Sequence, residues 1–402
     1  VFTKALDFRA VIADDVGLGK TIEALGAIWH YAIVGRVLVI APANVIYKWE
    51  REIIDPTHRF PWSGEWSVQV LASTKDPLVS AQFTVVSYDI MRRRVDELKA
   101  QKYGILITDE CHYVKSYRAL RTKALEKLAE DIPHIIGMTG TPLLNDKPIE
   151  MWSWLHMVNA TGWPSLWGST GYGDRYCGGR TEYATFQGAT RLTELSERLK
   201  ATSIRRTKAE VMSELPALSI VPVPVKVNLK DYRKVEENVK EAILAMNPSS
   251  KGYWLSVLDK FNYLRQAVGN AKIGAVEEWA TDFLGGNAPN TKLVIYAHHK
   301  AVVKHLMESL ASWGVLTITG DDKPADRDRA QRLFQSDDEH RVVVISSAGS
   351  VGIDLFGLGS VDASNILYAE LEWRPADYTQ SWGRLHRMGQ ANAVTAWVFG
   401  AL

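Results

Sequence analysis

Short runs rich in valine and isoleucine, spaced widely enough to leave a helix between them, constrain the fold of this chain more than any other feature. Residues 10–13, 37–41, 84–87, 105–108 and 135–138 form one series; residues 292–297, 316–319, 342–346, 365–369 and 393–399 form a second. Such alternation with longer helical patterns, residues 22–29 being the first, reads as βαβ units around buried parallel sheets. The expected fold class is α/β, as two lobes, each a parallel sheet flanked by helices, with helical insertions between them.

Between the two series, Pro216, Pro222 and Pro224 sit in an alternating apolar context, which favours an extended connector over a helix. The boundary is therefore placed there: an N-terminal lobe over residues 1–215 with a helical insertion from about 148, and a C-terminal lobe over 216–402 with a helical segment at 230–284. Trp152, Trp154, Trp163 and Trp167 cluster in the insertion beside a glycine-rich stretch at 168–179. Trp152 and Trp154 fall in a helical context and are expected to pack a core, whereas exposed aromatics would be free to stack on unpaired bases.

Composition bounds the partners. With 46% hydrophobic and 23% charged residues in 402, disordered, collagenous and coiled-coil classes are excluded. Lys and Arg number 47 against 46 Asp and Glu, a net charge of +1, so any polyanion must meet a local patch rather than a global basic field. Cys111 and Cys177 lie far apart with no CxxC spacing, which argues against a disulfide framework or structural zinc and fits a reducing compartment. No apolar run approaches the ~20 residues of a membrane span, and the amino terminus lacks a signal-peptide layout. A soluble intracellular chain is expected, in the cytoplasm of a prokaryote or virus-infected cell, or in a nucleus, with no membrane partner.

Ala13-Asp-Asp-Val-Gly-Leu-Gly-Lys-Thr21 follows one predicted strand and opens a predicted helix, the context of a phosphate loop. Backbone amides around Gly17 and Gly19 can cradle phosphate oxygens, Lys20 can reach the β- and γ-phosphates of ATP, and the Thr21 hydroxyl can ligate Mg²⁺. Asp14 stands where the strict pattern has its first glycine, and a ligand-free strand-to-helix turn is the alternative. Residues 105–112 add an apolar strand ending in two carboxylates, where Asp109 can hold nucleotide-bound Mg²⁺ and Glu110 can polarise the attacking water. Alone, such a pair is often a solvated turn; beside a phosphate loop it makes a hydrolytic site. Thr139 and Thr141 in Gly137-Met-Thr-Gly-Thr-Pro142 end a third strand and can hydrogen-bond across the pocket. Gln380, Arg384 and Arg387 lie at helical spacings of four and three, on one face, where the arginines could neutralise charge developing on a γ-phosphate. A basic helix face paired with local acids is the alternative.

In this order the segments resemble the motifs of the two-lobed helicase-like ATPases of helicase superfamily two, particularly the Swi/Snf-type branch. DDVGLGKT resembles motif I, DECH motif II, GMTGTP motif III, and IAPANVIYKWEREI, with Trp49, motif Ia; VVSYD is similar to the DNA-facing motif that follows. Ile204-Arg-Arg-Thr-Lys-Ala-Glu-Val-Met-Ser-Glu-Leu-Pro216 resembles the branch's linker between lobes, which general RNA helicases lack. SSAGSVGIDL and the run from Gln380 to Gln390 resemble motifs V and VI. DRYCGG, YAHHK, TGDDKPADRDRAQRLF and AELEWRP look most like the HepA-related annealing-helicase group, whose members remodel branched DNA, replication forks included. The resemblance implies RecA-like lobes and an ATP- and Mg²⁺-dependent, DNA-stimulated ATPase of the kind used in DNA repair. It places Lys20, Thr21, Asp109, Glu110, Arg384 and Arg387 at ATP, with Gly352 and Asp354 coupling ATP to DNA and Gln380 at the nucleotide. The branch's adenine-contacting glutamine element and its bracing helix after motif VI have no counterpart here, as expected of part of a longer chain.

The implied partner is duplex or branched DNA, gripped mainly through its phosphates. Lys48, Arg92, Arg93, Arg94, Lys115, Ser116, Arg118 and Arg121 follow motifs Ia, Ib and II and are the first-lobe candidates, although each alone also fits a solvated surface. Cys111 is expected to fill a small-residue position, His112 to link motifs II and III, and His298 and His299 to be strand-end structure rather than metal ligands. One chain carries every motif needed for a complete ATP site, so a monomeric motor is expected. A strand-separating DNA or RNA helicase remains the alternative, and a nucleotide-binding scaffold without turnover is disfavoured by Lys20, Glu110 and Arg387.

Overall fold

The computed structural model describes residues 8–31, 35–54, 66–142, 147–158, 162–179, 181, 186–212, 214–227, 230–247, 250, 252–347, 349, 352–373 and 375–401. Of the motif residues discussed above, Ser213, Ala348, Ser350, Val351 and Arg374 lie outside that set. The chain divides into two compact units, Val1–Glu214 and Leu215–Leu402.

In the first unit the elements run β1 (Arg9–Ile12), α1 (Lys20–His30), β2 (Val37–Ala41), α2 (Ile46–Ile54), β3 (Val68–Leu71), β4 (Phe83–Ser87), α3 (Tyr88–Arg93), α4 (Val95–Lys99), β5 (Ile105–Thr108), α5 (Leu120–Ala129) and β6 (His134–Met138). There follow α6 (Ile149–Val158), α7 (Tyr172–Tyr176), α8 (Leu192–Lys200), the two-residue β7 (Ser203–Ile204) and α9 (Lys208–Val211). The strands form one parallel sheet ordered β3-β4-β2-β5-β6-β1-β7. Period-two geometry sends Leu38 and Ile40 into the core on one face and Val37, Val39 and Ala41 into that on the other. Both faces are covered, which is why these strands are unbroken apolar runs. Edge strands β3 and β7 were not among the expected runs; β3 is short, interrupted by Gln69 and largely half-exposed, so it carries little of the apolar signal.

The second unit runs β8 (Leu218–Val225), α10 (Lys230–Leu244), α11 (Tyr253–Gly286), β9 (Thr291–Tyr296), α12 (Lys300–Ser309), β10 (Val315–Ile318), α13 (Pro324–Ser336), β11 (Val342–Ile345), β12 (Asp362–Tyr368), α14 (Pro375–Trp382) and β13 (Val394–Ala401). These strands form a parallel sheet ordered β10-β11-β9-β12-β13-β8. Here the proline-rich stretch is more than a connector: β8 pairs along its whole length with β13, Pro222 opposite Val398 and Pro224 opposite Gly400. As an edge strand, β8 needs ladder bonds on one side only. Prolines two residues apart share one side, so Val221 and Val223 are left to serve the ladder.

Among the described residues, no helix is long and apolar enough to cross a membrane.

Candidate active site

The loop after β1 turns sharply because Gly17 (φ 92°) and Gly19 (φ 85°) adopt the left-handed conformation that side chains resist. Gly19 caps α1 without a side-chain hydrogen bond, so the first-turn amides of an 11-residue helix have no side-chain acceptor from their cap. The Lys20 ammonium folds back and donates to the carbonyls of Asp14 (2.8 Å) and Asp15 (3.0 Å). Thr21, one residue into the helix, is half-buried.

Two strands away, β5 delivers Asp109 and Glu110. Asp109 Oδ2 accepts from the Trp49 indole at 2.9 Å and Oδ1 from the Glu110 amide at 3.0 Å, while Tyr88 donates to the Asp109 carbonyl at 2.8 Å. Burial and the neighbouring Glu110 carboxylate raise the Asp109 carboxyl above the ordinary range; the Trp49 bond and the Lys48 and Lys20 charges pull it back. Glu110 holds a left-handed backbone (φ 50°), rare for a residue with a side chain, and it lies within 3.2 Å of the His112 ring. Tyr88, stacked on Tyr113 with centroids 5.3 Å apart, was not anticipated as a site neighbour; nothing in VVSYD marks its hydroxyl for Asp109.

Strand β6 lies between β5 and β1 and supplies the third end. Thr139, fully buried, meets His112 Nδ1 at 3.0 Å and accepts from the Thr141 amide at 3.1 Å, so the expected link between the second and third strand ends is a direct hydrogen bond. A Cβ on Gly140 would stand 2.6 Å from Val16 Cγ2 and 3.4 Å from Lys20 Nζ, which shows how closely this turn presses on the phosphate loop. Cys111 is buried and packs near Gly137.

Asp14, the departure from the strict glycine pattern, has a structural partner. Its fully buried carboxylate accepts from the backbone amide of Arg206 (2.7 Å), from Arg206 Nε (3.0 Å) and from Nη2, which also reaches Glu23. No local signal pairs residues 192 positions apart.

This donor set fits a magnesium nucleotide: helix amides and a lysine for phosphates, and a hydroxyl at the start of α1 with carboxylates at the end of β5 for a divalent cation. Phosphates would meet the Gly17–Thr21 turn, and Mg²⁺ would be held by Thr21 and Asp109.

In the second unit, Gly352 takes a left-handed turn (φ 74°) and Asp354 forms an ion pair with Arg387, whose guanidinium also lies 5.8 Å from the Phe356 ring. Arg384 is buried, and its carbonyl accepts from the Leu355 amide at 2.9 Å. The helical spacing expected for Gln380, Arg384 and Arg387 does not hold: α14 stops at Trp382, and both arginines lie in the turns beyond it. Gly383 follows at once and Gly389 is left-handed (φ 93°), so the chain is drawn off the helix while Arg387 is fixed by Asp354 instead of by helix geometry.

Of the first-unit DNA-contact candidates, Arg93, Ser116 and Arg118 are exposed, and Lys48, Arg92 and Arg121 are half-buried. Lys115 is already paired with Glu150 at 3.0 Å, and Arg94 is buried against Glu97 and the Asp76 carbonyl. Trp154 and Trp163 are core residues, Trp152 is half-buried, and Trp167 is 46% exposed. A cleft of about 380 Å³ at the carboxyl ends of β9, β10 and β11, lined by Lys300, Lys304, Thr319, Ser346 and Ser347, was not predicted. Its residues come from separate segments, each too ordinary to stand out. His298 also lines it and His299 follows in sequence, held by Glu372 and Glu370 respectively.

The SNF2-related domain family matches residues 7–270, and the helicase conserved C-terminal domain matches residues 275–389. The boundary between these matches falls within α11; the compact units divide earlier because β8 belongs to the second sheet. The Xenopus laevis SWI/SNF-related matrix-associated actin-dependent regulator of chromatin subfamily A-like protein 1 is 30% identical over 98% of this chain and 40% of its own length. The human DNA annealing helicase and endonuclease ZRANB3 is 27% identical over 98% of this chain and 37% of its own length. The chain thus spans about 40% of the length of such relatives. Among solved structures, the Sulfolobus solfataricus SWI2/SNF2 ATPase core in complex with dsDNA aligns at TM-score 0.46 and 22% identity, covering all 100% of this chain and 85% of that one. With the first match running through the phosphate loop, the Asp109–Glu110 strand end and the Arg205–Arg206 segment, the chain belongs to the SNF2-related family.

Proposed function

We propose that the chain is an ATP-dependent translocase on double-stranded DNA that remodels or reanneals branched DNA. The observation that carries this reading is the linkage of three adjacent strand ends: Lys20 beside Gly140, Thr139 bonded to His112, and Asp109 and Glu110 held next to them. Bound Mg·ATP would supply the phosphoanhydride bond and a divalent charge over the leaving phosphates. Lys20 would leave the Asp14 and Asp15 carbonyls to meet phosphate oxygens, Asp109 and Thr21 would hold the cation, and Glu110 would orient and polarise the attacking water. Thr139 keeps His112, and through it Glu110, in register. Arg384 and Arg387 neutralise charge developing on the γ-phosphate, with Gln380 at the nucleotide and Gly352 and Asp354 linking the cycle to DNA.

DNA is gripped by phosphate contacts: Lys48, Arg92, Arg93, Ser116 and Arg118 on the first unit, and the Lys300–Lys304 cleft on the second. Lys115 contributes less, because Glu150 already matches its charge. Support for DNA over RNA comes from the Arg205–Pro216 linker and from the relative named a DNA annealing helicase. The phosphate loop and the Asp109–Glu110 strand end come from one chain, which supports a monomeric motor.

One panel tests the reading: ATP turnover with duplex, forked and single-stranded DNA and with single-stranded RNA. Duplex or forked DNA is expected to stimulate best, and Lys20→Ala or Glu110→Gln to abolish turnover. Equal stimulation by RNA would defeat the assignment, and ATP-driven unwinding of a plain duplex without annealing would favour a strand-separating helicase.

A further inference from the structure

The dipeptide Asp14–Asp15 is engaged at both ends of its chemistry. Its carbonyls hold the Lys20 ammonium at 2.8 and 3.0 Å. Its carboxylates hold the segment that follows β7: Asp14 takes three donors from Arg206, while Asp15 takes Arg205 Nη2 and the Lys208 amide, both at 3.1 Å. The Ala13 carbonyl accepts from Arg205 Nη1 at 2.8 Å, and the Asp15 amide donates to the Arg206 carbonyl at 3.0 Å. Arg206 also bridges to Glu23 in the first turn of α1, so a single guanidinium spans the loop before the helix and the helix itself. Beyond Lys208 the chain runs only to Glu214 before the second unit begins.

The Asp14 carboxylate is fully buried, and a desolvated charge of this kind is tolerated only when its partner and hydrogen bonds stay in place. The loop cannot move its Asp14–Asp15 peptide groups without moving Arg206, or Arg206 without disturbing Asp14. We infer that Asp14 and Arg206 are positioning residues that pass the state of the phosphate loop to residues 204–212. On this scheme, transfer of Lys20 from the two carbonyls to nucleotide phosphate frees one end of the dipeptide, and the carboxylate end shifts the segment leading to the second unit. The inference rests on the nucleotide-binding reading above. A planar guanidinium is required because one lysine ammonium cannot serve the Asp14 carboxylate through two nitrogens and reach Glu23 as well.

The test is amide hydrogen exchange of residues 204–212 in the full chain, with and without Mg·ADP, alongside ATP turnover with and without duplex DNA. In the wild type, Mg·ADP is expected to change exchange in this segment by roughly fivefold or more, the lower end of couplings between sites. Arg206→Ala is expected to bind Mg·ADP within about threefold of wild type, a difference small beside such couplings, and to keep DNA-free turnover while losing both the exchange response and DNA stimulation. Arg206→Lys keeps the charge but loses part of the guanidinium's grip, and is expected to bind Mg·ADP within about threefold of wild type with a weakened exchange response, which a purely structural role would not produce. An Arg206→Ala chain that retains the full exchange response overturns the inference, as does Arg206→Lys with a wild-type response if Arg206→Ala fails to fold. Wild type that binds Mg·ADP without any change at 204–212 overturns it too, whereas wild type that fails to bind Mg·ADP defeats the nucleotide reading itself.

Discussion

Replacing Trp49 by Phe removes one donor from a buried carboxylate and little else, so its consequences can be worked through. The indole donates to Asp109 Oδ2 at 2.9 Å, and Trp49 is 1% exposed, so water cannot readily take over. Losing a hydrogen bond to a charged group costs about 1.5–3 kcal/mol. The smaller ring leaves a void that adds on the order of 1 kcal/mol. A first unit losing about 2.5–4 kcal/mol should melt roughly 5–16 °C lower, at 2–4 °C per kcal/mol for a unit of this size.

The pH dependence separates the two terms. Because the folded-state Asp109 carboxyl titrates above its unfolded value, its contribution to stability is complete below the ordinary carboxyl range and is lost as pH rises through the raised value. Trp49 opposes that rise, so Trp49→Phe lifts the carboxyl further and the deficit relative to wild type widens with pH. Urea denaturation of both proteins between about pH 4 and 8, across the range in which displaced carboxyls titrate, reads this directly. A deficit that is the same at both ends would mean that only packing was lost and that the indole bond does not support the Asp109 charge.

Gly140→Ala drives a methyl group to within 2.6 Å of Val16 and 3.4 Å of Lys20 Nζ; the overpacking should cost about 1–3 kcal/mol and raise the KM for ATP, checked by thermal melting and steady-state kinetics. Arg93→Ala should weaken duplex DNA binding and flatten its salt dependence more than Lys115→Ala, since Arg93 is exposed and Lys115 is paired with Glu150; fluorescence anisotropy at several salt concentrations would show it. Lys272 is 2% exposed and donates to the Phe399 carbonyl at 3.1 Å, and burial lowers its amine to about 8. Its contribution is present above the ordinary lysine range and is lost as pH falls through about 8, so wild type should gain on the order of 3 kcal/mol between about pH 8 and 10 that Lys272→Met does not, read by denaturant titration.

The expected strand runs all appear within a residue or a few of their observed ends, because a buried parallel strand must be apolar on both faces and little else reads so continuously. Three of the four edge strands escaped that logic: β3 carries Gln69, β7 has two residues, and β8 reads as a connector because its prolines are acceptable only where one side of the strand needs no partner. The phosphate loop and the Asp109–Glu110 pair were legible because their chemistry is local, a glycine turn before a helix and carboxylates at a strand end. The face shared by Gln380, Arg384 and Arg387 was misjudged because spacing cannot show that the helix ends at Trp382.

Contacts that depend on residues distant in the chain were invisible by the same reasoning. Trp49 on Asp109, Tyr88 on the Asp109 carbonyl, His112 on Thr139 and Arg206 on Asp14 join side chains that only sheet order makes neighbours. The sequence by itself determined which elements form and which residue types stand at their ends, since periodicity, glycine and charge act over a few residues. The tertiary structure alone decided which of those ends meet, which cations are already spent on ion pairs, and that the aspartate in place of a glycine is the anchor of a segment 192 positions away.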